Sequence, residues 1–88
     1  MIFFINRDKK YKVGEHIMPL SKGKIGQTFN IKQIDGKEKV IKFLFTLGCF
    51  EGEEITLISK LAGNYIVNIK DSRYALDESM AKSIMIEA

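Results

Sequence analysis

Cysteine, histidine and proline occur once each in this 88-residue chain, and tryptophan does not occur at all. The lone Cys49 can make no intrachain disulfide. That excludes the many-bridged scaffolds of small secreted domains and points to a reducing compartment. Cys49 and His16 together fall short of the four ligands of a structural zinc site, so one chain builds no zinc finger or ribbon. Three tyrosines and no tryptophan are too few for an aromatic-lined groove that grips proline-rich peptides. Long apolar runs are missing as well. The stretch Met1 to Ile5 stops at five residues, and its positive charges follow it instead of preceding it. A secretory signal needs an apolar core of about 7–15 residues behind a positive start, and a membrane span needs roughly 18–20. A soluble, cytoplasmic, single-domain protein is expected.

Catalytic signatures are also absent. The glycines of SKGKIG (residues 21–26) are not followed by Lys-Ser/Thr and do not lie between a strand and a helix, so they make no phosphate loop. His16 has no recognisable partner for a nucleophile triad. The charge balance is 14 basic to 11 acidic, a net of +3. Residues 1–17 hold four basic and two acidic side chains, which leaves 10 and 9 for the remaining body. The body is therefore no basic platform for nucleic acid, and no nucleic acid is expected as partner.

The body carries clear periodicity. Pro19, Gly23 and Gly26 mark an irregular lead-in. Gln27–Ile34 alternates around Phe29 and Ile31 as a strand, with a bend or bulge where Ile34 breaks the pattern. Asp35 followed by Glu38 resembles a capping box, so a helix is expected to start there. Its apolar residues Val40, Ile41, Phe43, Leu44, Phe45 and Leu47 predict a wide buried face clamped against a sheet. Gly48 is the expected left-handed stop, with Cys49 packing back onto Leu44.

A second strand is predicted over 53–59 and a third over 65–70. The turn Ala62-Gly63-Asn64 joins them as a hairpin. Asp71-Ser72-Arg73 then turns into a short strand at 74–76. Asp77 caps a single helical turn through Ser83, and Ile84-Met85-Ile86 closes as a last strand. Short strands in so small a body favour a mainly β fold, a bent sheet closed as a small β-barrel with the helix plugging one end. Residues 1–17 form an extension, in which residues 2–5 add an edge strand, dock as an apolar anchor, or stay mobile.

Candidate chemistry gathers after the helix. Glu51, Glu53 and Glu54 crowd one turn. Carboxylates suit Mg, Mn or ferrous iron, and His16 would add a nitrogen if the extension folded over them. A solvated acidic face is the plainer reading of the same residues. Phe50, between Gly48 and Gly52, is either core or an exposed aromatic contact. Phe50, Glu51 and Glu53 together make the candidate partner surface. Cys49 sits beyond a helix C-terminus, where the dipole raises a thiol pKa, so packing is its expected role.

The ordered set MPLSKGKIGQTFNI, then FTLGCFEGEEITLI, then RYALDESMAKSIMI resembles the FeoA family of ferrous iron transport proteins. The matching positions are Pro19-Leu20, Gly23, Gly26, Leu47-Gly48, Gly52, Ala75-Leu76, Ala81 and Ile84, so the resemblance covers residues 18–86. It implies an SH3-like barrel with one inserted helix and a short C-terminal helical turn, over a domain at 18–88. It further implies a cytosolic, non-enzymatic accessory protein that binds a FeoB-type membrane GTPase transporter. A divalent transition metal such as ferrous iron is the implied ligand. The domain is also similar to the C-terminal domain of iron- and manganese-dependent repressors. The alternative is therefore a small-barrel module in nucleic-acid binding or metal-dependent transcriptional regulation, although no winged helix precedes it here.

Overall fold

The computed structural model describes residues 17–87. Six strands form one antiparallel sheet: β1 (Ile17–Pro19), β2 (Thr28–Ile34), β3 (Glu54–Leu61), β4 (Asn64–Ile69), β5 (Ser72–Leu76) and β6 (Ile84–Glu87). Their order across the sheet is β1-β6-β2-β3-β4-β5. A 3-10 turn, Leu20–Lys22, follows β1; helix α1 (Glu38–Thr46) joins β2 to β3; helix α2 (Glu78–Ser83) joins β5 to β6.

Alternation decides which side chains meet. Phe29 and Ile31 of β2, Ile55 and Leu57 of β3, and Tyr65, Val67 and Ile69 of β4 are all buried in one core. Leu76, Ile84 and Ile86 join them from β5 and β6. One core can collect the inward faces of all these strands only if the sheet bends around it. Two register shifts supply bends, one between Ile31 and Gln33 on β2 and one between Leu57 and Ser59 on β3. The irregularity expected at Ile34 thus lies two residues earlier.

The β3–β4 hairpin forms as the pattern predicts, but its turn is one residue shorter: Leu61 pairs with Asn64, so Ala62 and Gly63 make it and Asn64 opens β4. The next turn is tighter than expected. Ile69 pairs with Ser72, so Lys70 and Asp71 make it alone, Lys70 with φ +56°. Asp77 caps α2, its carboxylate accepting from the Met80 amide at 2.9 Å. β1 is a strand where an irregular lead-in was expected. It is three residues long, ends in Pro19, and exists because Ile17, Met18 and Pro19 pair with Glu87, Ile86 and Met85. An edge position tolerates the proline.

Two expectations about helices are corrected. The α1 N-cap is Lys37, with no side-chain cap, and not Asp35. The Asp35 carboxylate accepts from Gln33 Nε2 at 2.6 Å, and its amide donates to the Ser83 carbonyl at 2.7 Å. Asp35 is thereby tied to the end of β2, and the helix starts only after the chain has turned through Gly36. The wide apolar face of α1 is not buried. Leu44 alone is fully enclosed, with Val40 and Leu47 partly so, while Phe43 and Phe45 are 45% and 46% exposed. Apolar residues at six of eight positions span too wide an arc for a nine-residue helix that packs on one side. α1 sends Leu44 into the core and lies beside α2, which also touches both edge strands, β1 and β5. Ala81 and Ser83 of α2 are buried there.

Candidate functional site

The end of α1 is a rigid hydrogen-bonded stop. Gly48 has φ +97°, its amide donates to Phe45 O at 3.0 Å, and the Cys49 amide donates to Leu44 O at 3.1 Å. These two bonds define a Schellman motif, with Cys49 buried in the core beside Leu44. A Cβ on Gly48 would find ordinary contacts, 3.5 Å to Ile69 Cγ2 and 3.7 Å to Lys70 Cε. Gly48→Ala is therefore expected to cost about 1–2 kcal/mol through left-handed strain alone. Denaturant unfolding checks this, with a lower midpoint at an unchanged slope.

Burial pushes the Cys49 thiol up from its ordinary 9.0 to about 11. The folded state therefore favours the neutral thiol. Its contribution to stability is complete below pH 9 and is lost as pH rises from 9 through 11. Cys49→Ala should lack that alkaline slope, and native Cys49 should resist alkylation at pH 8 until the chain unfolds.

The chain leaves the Schellman end as a short braced loop. Phe50 N donates to Gly48 O at 3.0 Å, and Glu53 N donates to Phe50 O at 3.0 Å. Gly52 N donates to Ile31 O at 2.7 Å, and Ile31 N donates to Glu53 O at 2.9 Å, so the loop is fastened to β2. On this support Phe50 is 44% exposed and rests against Phe45, ring centroids 5.4 Å apart and tilted by 42°. Of the two readings open for Phe50, the exposed one is observed. Two half-exposed aromatic rings held against each other form an apolar surface that is already ordered, so little side-chain entropy remains to be lost on contact.

The three glutamates do not share one environment. Glu51 borders a cleft with Ile17, Lys32, Asp35 and Met85. Glu53 faces the other way, 3.5 Å from Lys70 Nζ. Glu54 is the first residue of β3 and lies opposite Asn30 of β2. Among the described residues no three His, Cys, Asp or Glu side chains stand together to hold a metal ion. His16, and residues 2–5, lie outside the described residues. Sequence reasoning missed Phe45, assigned to the buried face, and Lys70, which reaches the loop only through the fold. The five-residue spacing from Phe45 across a glycine stop to Phe50 was the available signal for the aromatic pair.

Among the described residues no helix is long and apolar enough to cross a membrane. Several solved structures share the fold. An iron uptake regulatory protein, FeoA, is 22% identical with a TM-score of 0.75, over 83% of this chain and 99% of that one. A FeoA from Stenotrophomonas maltophilia, solved with zinc and described as a prokaryotic SH3 domain protein, is 23% identical with a TM-score of 0.71, over 78% of this chain and 88% of that one. A manganese-dependent transcriptional repressor is 16% identical with a TM-score of 0.74, over 80% of this chain but 40% of that one. No curated protein matches the sequence. The fold is thus mainly β and SH3-like. A family model for the FeoA domain, linked to ferrous iron transport, matches residues 18–88, and the chain belongs to that family.

Proposed function

We propose that this chain is a cytoplasmic, non-enzymatic accessory protein of ferrous iron uptake, and that it binds the cytoplasmic part of a FeoB-type membrane GTPase transporter through Phe50, Glu51 and Glu53. The observation that carries this reading is the Phe45–Phe50 pair, exposed on a loop braced by the Schellman end of α1 and by β2. Interface hot spots are rigid aromatic anchors with polar surroundings. Glu51 and Glu53 flank this anchor. Cytoplasmic loops of membrane proteins are enriched in Lys and Arg, which an acidic rim complements. Iron is cargo in this reading. A resident metal fits the described residues poorly, because Glu53 is engaged by Lys70 and Glu51 turns to a different cleft. A site on Glu51, Glu53 or Glu54 would need donors from elsewhere, His16 among them, and anaerobic calorimetry with ferrous or manganous ion tests for one.

Titration with the co-encoded transporter GTPase domain tests the partner. Phe50→Ala is expected to weaken binding by more than about 1 kcal/mol with the fold intact, because the ring is a surface feature. Glu51→Lys should slow association, with the difference shrinking as salt is added. Equal binding by the parent and both variants would move the interface elsewhere, and no binding by the parent would overturn the reading.

A further inference from the structure

The outer face of the sheet carries a second polar site next to the aromatic loop. Asn30 lies directly opposite Glu54, and Thr56, two residues along the same face, lies directly opposite Asn68. These four side chains, from three adjacent strands, line a cleft of about 440 Å³. The Lys70–Glu53 ion pair stands at its border. The cleft is continuous with the aromatic loop, since Gly52 and Glu53 line it and the Lys70 side chain lies beside Gly48.

The hydrogen-bonding state of these groups is specific. Asn68 Nδ2 donates to Lys70 O at 2.9 Å, which leaves Asn68 Oδ1 as an open acceptor. Thr56 Oγ1 is engaged with Thr28 Oγ1 at 2.7 Å. Glu53 is balanced by Lys70, whereas Glu54 has no ion pair and Asn30 no side-chain hydrogen bond among the described residues. The cleft therefore presents one unbalanced carboxylate and two amide oxygens, set on a rigid sheet. A guanidinium matches that set. It carries five N–H donors and no acceptor, stays charged, and is planar enough to enter between strand side chains and fork onto a carboxylate.

We infer that this cleft receives an arginine side chain of the protein partner, with Glu54 as its counter-ion and Asn30 and Asn68 as flanking acceptors. The inference rests on the partner-binding reading above and deepens it. The partner segment carries an apolar residue for the Phe45–Phe50 pair and an arginine a few residues away.

Two measurements separate the inference from the reading it rests on. The first uses the chain alone, titrated by NMR with N-acetyl-arginine methylamide and with its neutral citrulline counterpart. The side-chain amide signals of Asn30 and Asn68 should shift saturably with the arginine compound only, and Glu54→Gln should abolish the response. Equal shifts with citrulline, or shifts confined to other residues, overturn the cleft assignment. The second uses the transporter GTPase domain. Glu54→Gln keeps the shape of the side chain and should weaken binding about tenfold. Binding by the parent with no change in Glu54→Gln overturns the arginine cleft and leaves the partner reading standing. Failure of the parent to bind the domain, together with a specific arginine response, supports the cleft and overturns that choice of partner.

Discussion

Leu44→Ala is expected to lower the unfolding free energy by about 2–5 kcal/mol. Leu44 is the one fully enclosed side chain of α1, and its carbonyl accepts both the Leu47 and the Cys49 amides. Truncation removes the helix's main apolar contact with the core and leaves a cavity beneath the Schellman turn. Small domains are stable by only about 5–15 kcal/mol, so this is a large share of the total. The neighbouring Phe43→Ala removes a larger but half-exposed side chain and should change stability by no more than about 0.5 kcal/mol. Because the loop bearing Phe50 hangs from this turn, Leu44→Ala should also loosen the aromatic pair. Thermal and denaturant unfolding of both variants checks the contrast. A Leu44→Ala protein that melts within about a degree or two of the parent contradicts the docking of α1.

Gly36→Ala is the second large effect, at about 2–3 kcal/mol. Gly36 has φ +115°, a backbone conformation that side chains disfavour. Its surroundings add a steric cost, because a Cβ would lie 2.9 Å from Ser83 Oγ. Ser83 cannot swing aside freely. It is buried, and its hydroxyl donates to Ser79 O at 3.1 Å. The same residue's carbonyl accepts the Asp35 amide, so a shift there pulls on both the end of β2 and the end of α2. A double-mutant cycle separates the two costs. In a Ser83→Ala background Gly36→Ala should still cost about 1–2 kcal/mol, because the clash is relieved while the backbone strain remains. Identical costs in both backgrounds would show that the Ser83 contact is irrelevant.

What could be read from the sequence was local. The β3–β4 hairpin, the Asp77 cap and the Gly48 stop each depend on chemistry within a few residues, and each appears as expected. What could not be read depends on partners far along the chain. β1 is too short to show any alternation, and it is a strand because β6 lies beside it. Asp35 had the right residue type for a cap, but the Gln33 amide and the Ser83 carbonyl hold it at the end of β2. The apolar residues of α1 marked a helix correctly and its burial wrongly, since periodicity does not say how many sides of a helix are covered. The candidate site divides the same way. Phe50 was visible as an aromatic between glycines, but its stacking on Phe45 was not. Glu51, Glu53 and Glu54 were visible as a cluster, but the opposite directions of Glu51 and Glu53 follow from the loop's bonds to β2.

The position of β6 has a consequence for how the sheet assembles. The last strand of the described sheet pairs on one side with β1, at the start of the described fold, and on the other with β2. Until it docks, β2 has an open edge and β1 has no strand beside it. The sheet is therefore completed only when β6 docks, by pairings that span almost the whole domain. Such non-local closure is the slow part of folding and leaves a hydrophobic edge exposed until it occurs. For this sheet the pairing of Ile84–Glu87 with both β1 and β2 is the step that removes that edge.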